Sequence, residues 1–127
     1  MKVLALDYGR ARTGVAVSDP TGTIARPLEV VAGGDVSRIV RLIEEHGVER
    51  VVVGLPLTLR GERGEQARET EAFIESLSAA APVPVVTFDE RFTTNLARQT
   101  EGGAADEDAR AAAHLLSGYL TWSTGAE

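Results

Sequence analysis

The chain contains no cysteine, so neither a disulfide nor a thiolate metal site is open to it. Long apolar runs are also missing: none approaches the roughly 18 residues that cross a bilayer. A signal peptide is not visible, because Lys2 leads at once into a strand-like segment that carries Asp7. Lysine is almost absent, since Lys2 is the only one among 13 basic residues and the others are arginines. These absences point to a soluble cytoplasmic protein with no membrane contact. A net charge of −6 argues against a general electrostatic grip on nucleic acid. Arginine is nevertheless the better residue for bidentate phosphate contacts, so the placement of the arginines decides the partner.

What is present is a globular composition, 43% apolar over 127 residues, which suits one domain with a real core over residues 1–127. The chain is organised around residues 3–19, VLALDYGRARTGVAVSD. An apolar run from Val3 to Leu6 ends on Asp7. The basic tip Arg10-Ala11-Arg12 follows, then a second apolar run from Val15 to Val17. This reads as a β-hairpin whose first strand ends on an acid. The first run has no polar alternation, so its strand is expected to be covered on both faces. A carboxylate there is costly to desolvate unless something positive meets it.

A turn at Asp19-Pro20-Thr21-Gly22 leads into a third strand, Thr23 to Val31, with Arg26-Pro27 marking an irregular or edge position. Asp35 is a candidate cap for a helix with Val36, Ile39, Val40 and Ile43 on one face, closed by His46-Gly47. Val51 to Pro56 reads as a buried parallel strand, and Thr58 to Gly64 as the polar loop at its carboxyl end. A helix is expected from Glu65 to Ala80, with Ala67, Thr70, Ile74 and Leu77 inward. Val85 to Phe88 forms another buried strand ending at Asp89-Glu90. A short helix capped by Thr93 or Thr94 runs through Gln99. The last helix opens at Asp106-Glu107-Asp108 and reaches Trp122, packing through Ala112, Leu115, Leu116 and Tyr119, with a frayed tail from about Ser123. The sum is a mixed α/β fold: a five-stranded sheet, three antiparallel strands then two parallel, with helices on both faces.

In such sheets ligands gather at the carboxyl ends of the strands. Asp7, the pair Asp89-Glu90 and Asp108 can all reach one such edge. Carboxylates without cysteine or a suitable histidine pair make a hard oxygen site suited to Mg²⁺ or Mn²⁺. Two such ions about 4 Å apart are a standard device for phosphodiester hydrolysis. Asp89 and Glu90 point to opposite faces of a regular strand. Glu90, with its longer side chain, is the favoured ligand, and Asp89 is left to the loop or to a water. Each acid has a plainer reading too: Asp108 as a helix N-terminal charge, Glu90 as a partner of Arg91 or Arg98.

At this point the residues resemble a known family. LALDYGRARTGVAVSD, TIARPLEVV, VVVGLPLTLRGERGEQA, VTFDERFTT and DARAAAHLLSGYL are similar, in order, to the motifs of the YqgF/RuvX family of pre-16S rRNA nucleases, which are also described as Holliday-junction-resolvase-like. The resemblance implies an RNase H-like fold and two-metal nuclease chemistry. Asp7 falls on the family's first-strand acid, Asp89-Glu90-Arg91 on its DER motif, and Asp108 on the acid that opens the last helix. Arg12 matches its basic residue before Gly-Val-Ala-Val. Arg60 stands where many members carry an acid, and Ala109 replaces a common small polar residue. The expected function is 5′-end maturation of pre-16S rRNA by a metal-dependent nuclease. The alternatives are a junction-resolving DNA endonuclease and a non-catalytic nucleic-acid-binding protein on the same fold. A phosphate-binding lobe of the sugar-kinase/actin type needs a second lobe that these 127 residues do not supply. Arg10, Arg12, Arg60, Arg63 and Arg91 are the expected phosphate contacts. No apolar stripe is left over for a fixed dimer, so the expectation is a monomer or loose homodimer acting on structured or single-stranded RNA in preference to branched DNA.

Overall fold

The computed structural model describes residues 1–56, 64–90 and 104–125. Its sheet has the strand order β3-β2-β1-β4-β5, with β1 at Val3–Asp7, β2 at Arg12–Ser18, β3 at Ala25–Ala32, β4 at Arg50–Leu55 and β5 at Val85–Asp89. β1 pairs antiparallel with β2, and β2 with β3. β1 pairs in parallel with β4, and β4 with β5. This is the mixed sheet that the strand order along the chain implied: hairpins join neighbours antiparallel, and helical crossovers join parallel strands.

The unbroken apolar run of β1 places it at the centre, buried on both faces. Its side chains alternate between two cores. Leu4 and Leu6 join Val15, Val17, Val51 and Val53 against helix α1, Val36–His46, and helix α2, Glu65–Ala80, through Ile39, Leu42, Ile43, Phe73 and Leu77. Val3 and Ala5 join Ala16, Val52 and Phe88 against helix α3, Ala104–Gly125, through Ala112, Leu115, Leu116 and Tyr119. Among the described residues no helix is long and apolar enough to cross a membrane.

Local chemistry sets the helix ends. The Asp35 carboxylate accepts from the Arg38 amide at 3.1 Å, which caps α1 as expected. Gly47 closes it in the left-handed region at φ 62°. In β3, Pro27 sits opposite Ala16 and the register shifts there, with Glu29 opposite Val15. Proline lacks an amide proton, so it is tolerated on this edge strand beside the irregularity.

Several boundaries and faces differ from the sequence reading. β3 begins at Ala25, two residues later than Thr23. In α2, Phe73 is buried while Ile74 is only half-buried, and in α1 Leu42 is buried where Val40 is not. Each true inward position lies near an equally apolar neighbour on the helix, so periodicity alone does not separate them. β5 is an edge strand with only Phe88 buried, because among the described residues no strand lies beyond it. α3 starts at Ala104 and runs to Gly125, into the stretch read as a frayed tail. Residues 58–63 of the polar loop, and the short helix from Thr93 to Gln99, fall outside the described residues.

Candidate functional site

Asp7 closes β1 directly opposite Gly14 of β2. On its other side Leu6 pairs with Val53, so the next residue along β4, Gly54, lies beside Asp7. By strand alternation Asp7, Gly14 and Gly54 share the α3 face, the face of Val3, Ala5, Ala16 and Val52. The row therefore reads Gly-Asp-Gly across three adjacent strands.

Both glycines are required by what sits on them. A Cβ at Gly14 would lie 1.9 Å from the backbone carbonyl oxygen of Asp108. At Gly54 it would lie 2.7 Å from Oε1 and 2.9 Å from Cγ of Glu90, and 3.0 Å from Cδ2 of Leu115. Asp7 is thus flanked on one side by the Asp108 backbone and on the other by the Glu90 carboxyl. Three acids from β1, the end of β5 and α3 come to one edge of one face. Asp89 does not join them. It pairs with Leu55 and alternates with Phe88, which puts it on the opposite face, the face of Val85.

Asp108 lies one turn into α3 rather than in its first turn, because the helix begins at Ala104. That separates its carboxylate from the helix N-terminus and removes the plainer, macrodipole reading of this acid. Its Oδ2 accepts from Arg12 Nε at 2.7 Å, with the Arg12 and Asp108 side chains 52% and 31% exposed. Among the described residues no three of His, Asp and Glu stand close enough together to hold an ion. The backbone brings the acids together, while the Asp108 carboxylate is turned to a guanidinium.

Arg10 goes the other way. Its Nε donates to Glu69 Oε2 at 2.9 Å, its Nη2 donates to Glu69 Oε1, and Nη2 reaches Glu65 Oε1 at 3.5 Å. The charge-assisted hydrogen bond from Arg10 holds the Glu69 carboxyl below its ordinary value, and Glu69 in turn raises the Arg10 guanidinium. This clasp lies at a groove of about 380 Å³ lined by Tyr8, Gly9, Arg10, Glu65, Gln66 and Glu69. Tyr8 stacks there on Phe73 with ring centroids 4.5 Å apart. Arg60, Arg63 and Arg91 lie outside the described residues.

Sequence reasoning passed over Gly14 and Gly54. Their signal was available: a glycine inside a β-branched apolar strand marks a close approach. It also passed over Glu65 and Glu69, which carry no local mark, because their partner is 55 to 59 residues away.

Asp7, Glu90 and Asp108 offer oxygen donors of the kind a hard divalent ion takes, but as placed they do not form a group that could hold one.

The arrangement defines an RNase H-like domain. In fold it is similar to RuvC from Thermus thermophilus, with a TM-score of 0.62 at 19% identity over 98% of this chain and 97% of that one. It is equally similar to T. thermophilus RuvC in complex with a Holliday junction substrate, with a TM-score of 0.63 at 20% identity over 98% and 96%. Likeness in sequence goes further than likeness in fold. The model of the family described as "RuvX: Holliday junction resolvase" matches residues 1–122, and the chain belongs to that family. A Chloroflexus aurantiacus relative named "Putative pre-16S rRNA nuclease" is 50% identical over 101 residues, 76% of this chain. The match spans 66% of that relative's length. A Rubrobacter xylanophilus relative of the same name is 47% identical over 98% of this chain and 96% of its own.

Proposed function

We propose that this chain is a divalent-metal-dependent nuclease that hydrolyses phosphodiester bonds in RNA, in the 5′-end maturation of pre-16S rRNA. The observation that carries the reading is the Gly14–Asp7–Gly54 row with Asp108 and Glu90 closed over its two glycines. The names of relatives at 47% to 50% identity support the substrate.

In this reading Asp7, Glu90 and Asp108 hold Mg²⁺ or Mn²⁺, and Asp89, on the far face, steadies the strand end. Such ions supply an activated water and a charge that neutralises the leaving oxygen. The chain's own residues do the rest. Asp7 is held in position by two strand neighbours, so its carboxylate is presented without a search over backbone conformations. Glu90 is placed over Gly54, where a Cβ would meet its carboxyl at 2.7 Å. Arg12, on the same face two residues along β2 from Gly14, is the described arginine best placed for a backbone phosphate. Arg10 is engaged by Glu65 and Glu69 of α2 instead.

A net charge of −6 suits a narrow arginine rim that tracks one strand, on a monomer or loose homodimer, better than a broad basic face for a four-way junction. The test is cleavage of a pre-16S rRNA 5′ segment against a synthetic Holliday junction, at one salt and one Mn²⁺ concentration. Faster RNA cleavage is expected. Paired symmetric nicks in the junction that outpace RNA cleavage reverse the assignment to a resolvase.

A further inference from the structure

We propose that Trp122 and Arg50 form a second contact for single-stranded nucleic acid, in which Trp122 stacks one base and Arg50 takes a neighbouring phosphate. The inference rests on the nucleic-acid part of the function proposed above and requires no metal ion.

Trp122 lies in the last turn of α3. It is the only tryptophan in the chain and is 56% exposed. Its inner side is packed: its ring centroid lies 5.8 Å from that of Phe88 and 6.2 Å from that of Tyr119, and those two rings meet edge-on at 5.7 Å. Phe88 and Tyr119 are both buried. Two buried rings thus back one exposed ring and hold it in place before any ligand arrives, which lowers the ordering cost of binding. A preset aromatic face of this kind accepts any base, because every base has a π face.

The cation beside it lacks an acid. Arg50 opens β4 opposite Val3, on the face that α3 covers. Its Nη1 donates to the Tyr119 hydroxyl at 3.0 Å, while its Nε is buried without an acceptor. Arg10, Arg12 and Arg38 each meet a carboxylate; among the described residues none pairs with Arg50. A half-buried guanidinium left in that state is compensated by an anion, and its planar donors suit a phosphate. Tyr119 joins the two groups, since it accepts from Arg50 and packs on Trp122. A base linked to a phosphate presents what both require.

The patch is continuous with the candidate site. Phe88 pairs with Gly54, so the row Gly14–Asp7–Gly54 runs on to Phe88, two strand spacings or about 10 Å from Asp7. A strand laid along that row meets the acids at one end and Trp122 at the other.

The lone tryptophan is its own probe. The full chain is titrated with a labelled single-stranded RNA oligonucleotide in excess chelator, which keeps the strand intact, following indole fluorescence and the anisotropy of the label. Single-stranded DNA of the same sequence and an RNA duplex are run in parallel. Quenching is expected with both single strands and not with the duplex, whose bases are already stacked. Trp122→Ala is expected to weaken single-strand affinity by about five-fold to 150-fold, the range of one base stack, and Trp122→Phe to retain most of it. Arg50→Gln lowers the slope of log affinity against log salt by about 0.7, the value of one single-strand phosphate, whereas Arg50→Lys keeps it. Anisotropy that reports binding at constant fluorescence overturns the Trp122 contact and leaves the nuclease reading standing. An unchanged salt slope in Arg50→Gln overturns the Arg50 contact. A doubling of mass in sedimentation that Trp122→Ala abolishes, with RNA affinity unchanged, gives this face to a second copy of the chain and overturns the proposal. No binding of either single strand by any of the chains overturns the nucleic-acid reading and this proposal with it.

Discussion

Gly14→Ala tests the closest glycine contact among the described residues. The added Cβ would stand 1.9 Å from the Asp108 carbonyl oxygen, 2.5 Å from its carbon and 3.2 Å from the Ala109 nitrogen. All three are backbone atoms, so no side chain can swing away. Ordinary contact begins at 3.4 Å, and α3 must therefore retreat from β2 by roughly 1.5 Å or β2 must buckle. β2 has no slack, since it is hydrogen-bonded to strands on both sides. Retreat instead lifts Ala112, Leu115, Leu116 and Tyr119 from Val3, Ala5, Ala16 and Val52. Overpacking of a rigid core costs about 1–3 kcal/mol, and this contact belongs at the upper end. At ~4 °C per kcal/mol for a chain of this size, the melting midpoint falls by about 12 °C. The control is Gly34→Ala. That glycine has nothing within 4 Å of its missing Cβ but adopts φ +74°, so only the left-handed backbone is penalised, by about 1 kcal/mol and ~4 °C. Calorimetric unfolding of the three chains, with RNA cleavage measured well below each midpoint, is the assay. Gly14→Ala is expected to lose both stability and cleavage, because Asp108 moves with α3. A midpoint equal to that of the parent would refute the close packing of α3 on β2. A lowered midpoint with full cleavage would remove Asp108 from the site.

Asp7→Asn is expected to abolish cleavage while keeping the far-UV dichroism and a cooperative melt; full activity in that variant, or of the parent in excess chelator, sinks the metal reading. Glu90→Gln is expected to lose far more activity than Asp89→Asn, because of the two only Glu90 lies over Gly54 on the Asp7 face; equal rate losses refute the assignment. Asp19 is held down to about 2 from 3.8 by hydrogen bonds from the Thr21 hydroxyl and from the Ile24 and Thr23 amides. A depressed folded-state value means that the ionised form stabilises the fold. Its contribution is complete above the unfolded value of 3.8 and is lost as pH falls towards 2. Urea unfolding of Asp19→Asn against the parent should therefore differ most above pH ~4 and converge towards pH ~2; a gap that stays constant across that window refutes the role of charge.

Features with local causes were legible in the order of the residues. The apolar run before Asp7 dictates a strand covered on both faces, and so a central one. Asp35 and Gly47 set the ends of α1 through hydrogen bonds to their own helix. The apolar periodicities and short connections leave little choice of sheet order. The acids Asp7 and Glu90 were legible for the same reason, since each ends or follows a strand whose carboxyl end the topology sends to one edge. The remaining features wait on packing. A glycine on another strand brings Glu90, and not Asp89, to the Asp7 face. Phe73 turns inward over Ile74, β5 becomes an edge, and Arg10 and Arg12 go to carboxylates on opposite faces. Arg12 meets Asp108 across 96 residues of chain and Arg10 meets Glu69 across 59. Contacts at such separations depend on how sheet and helices pack, which side-chain periodicity within a single element does not encode.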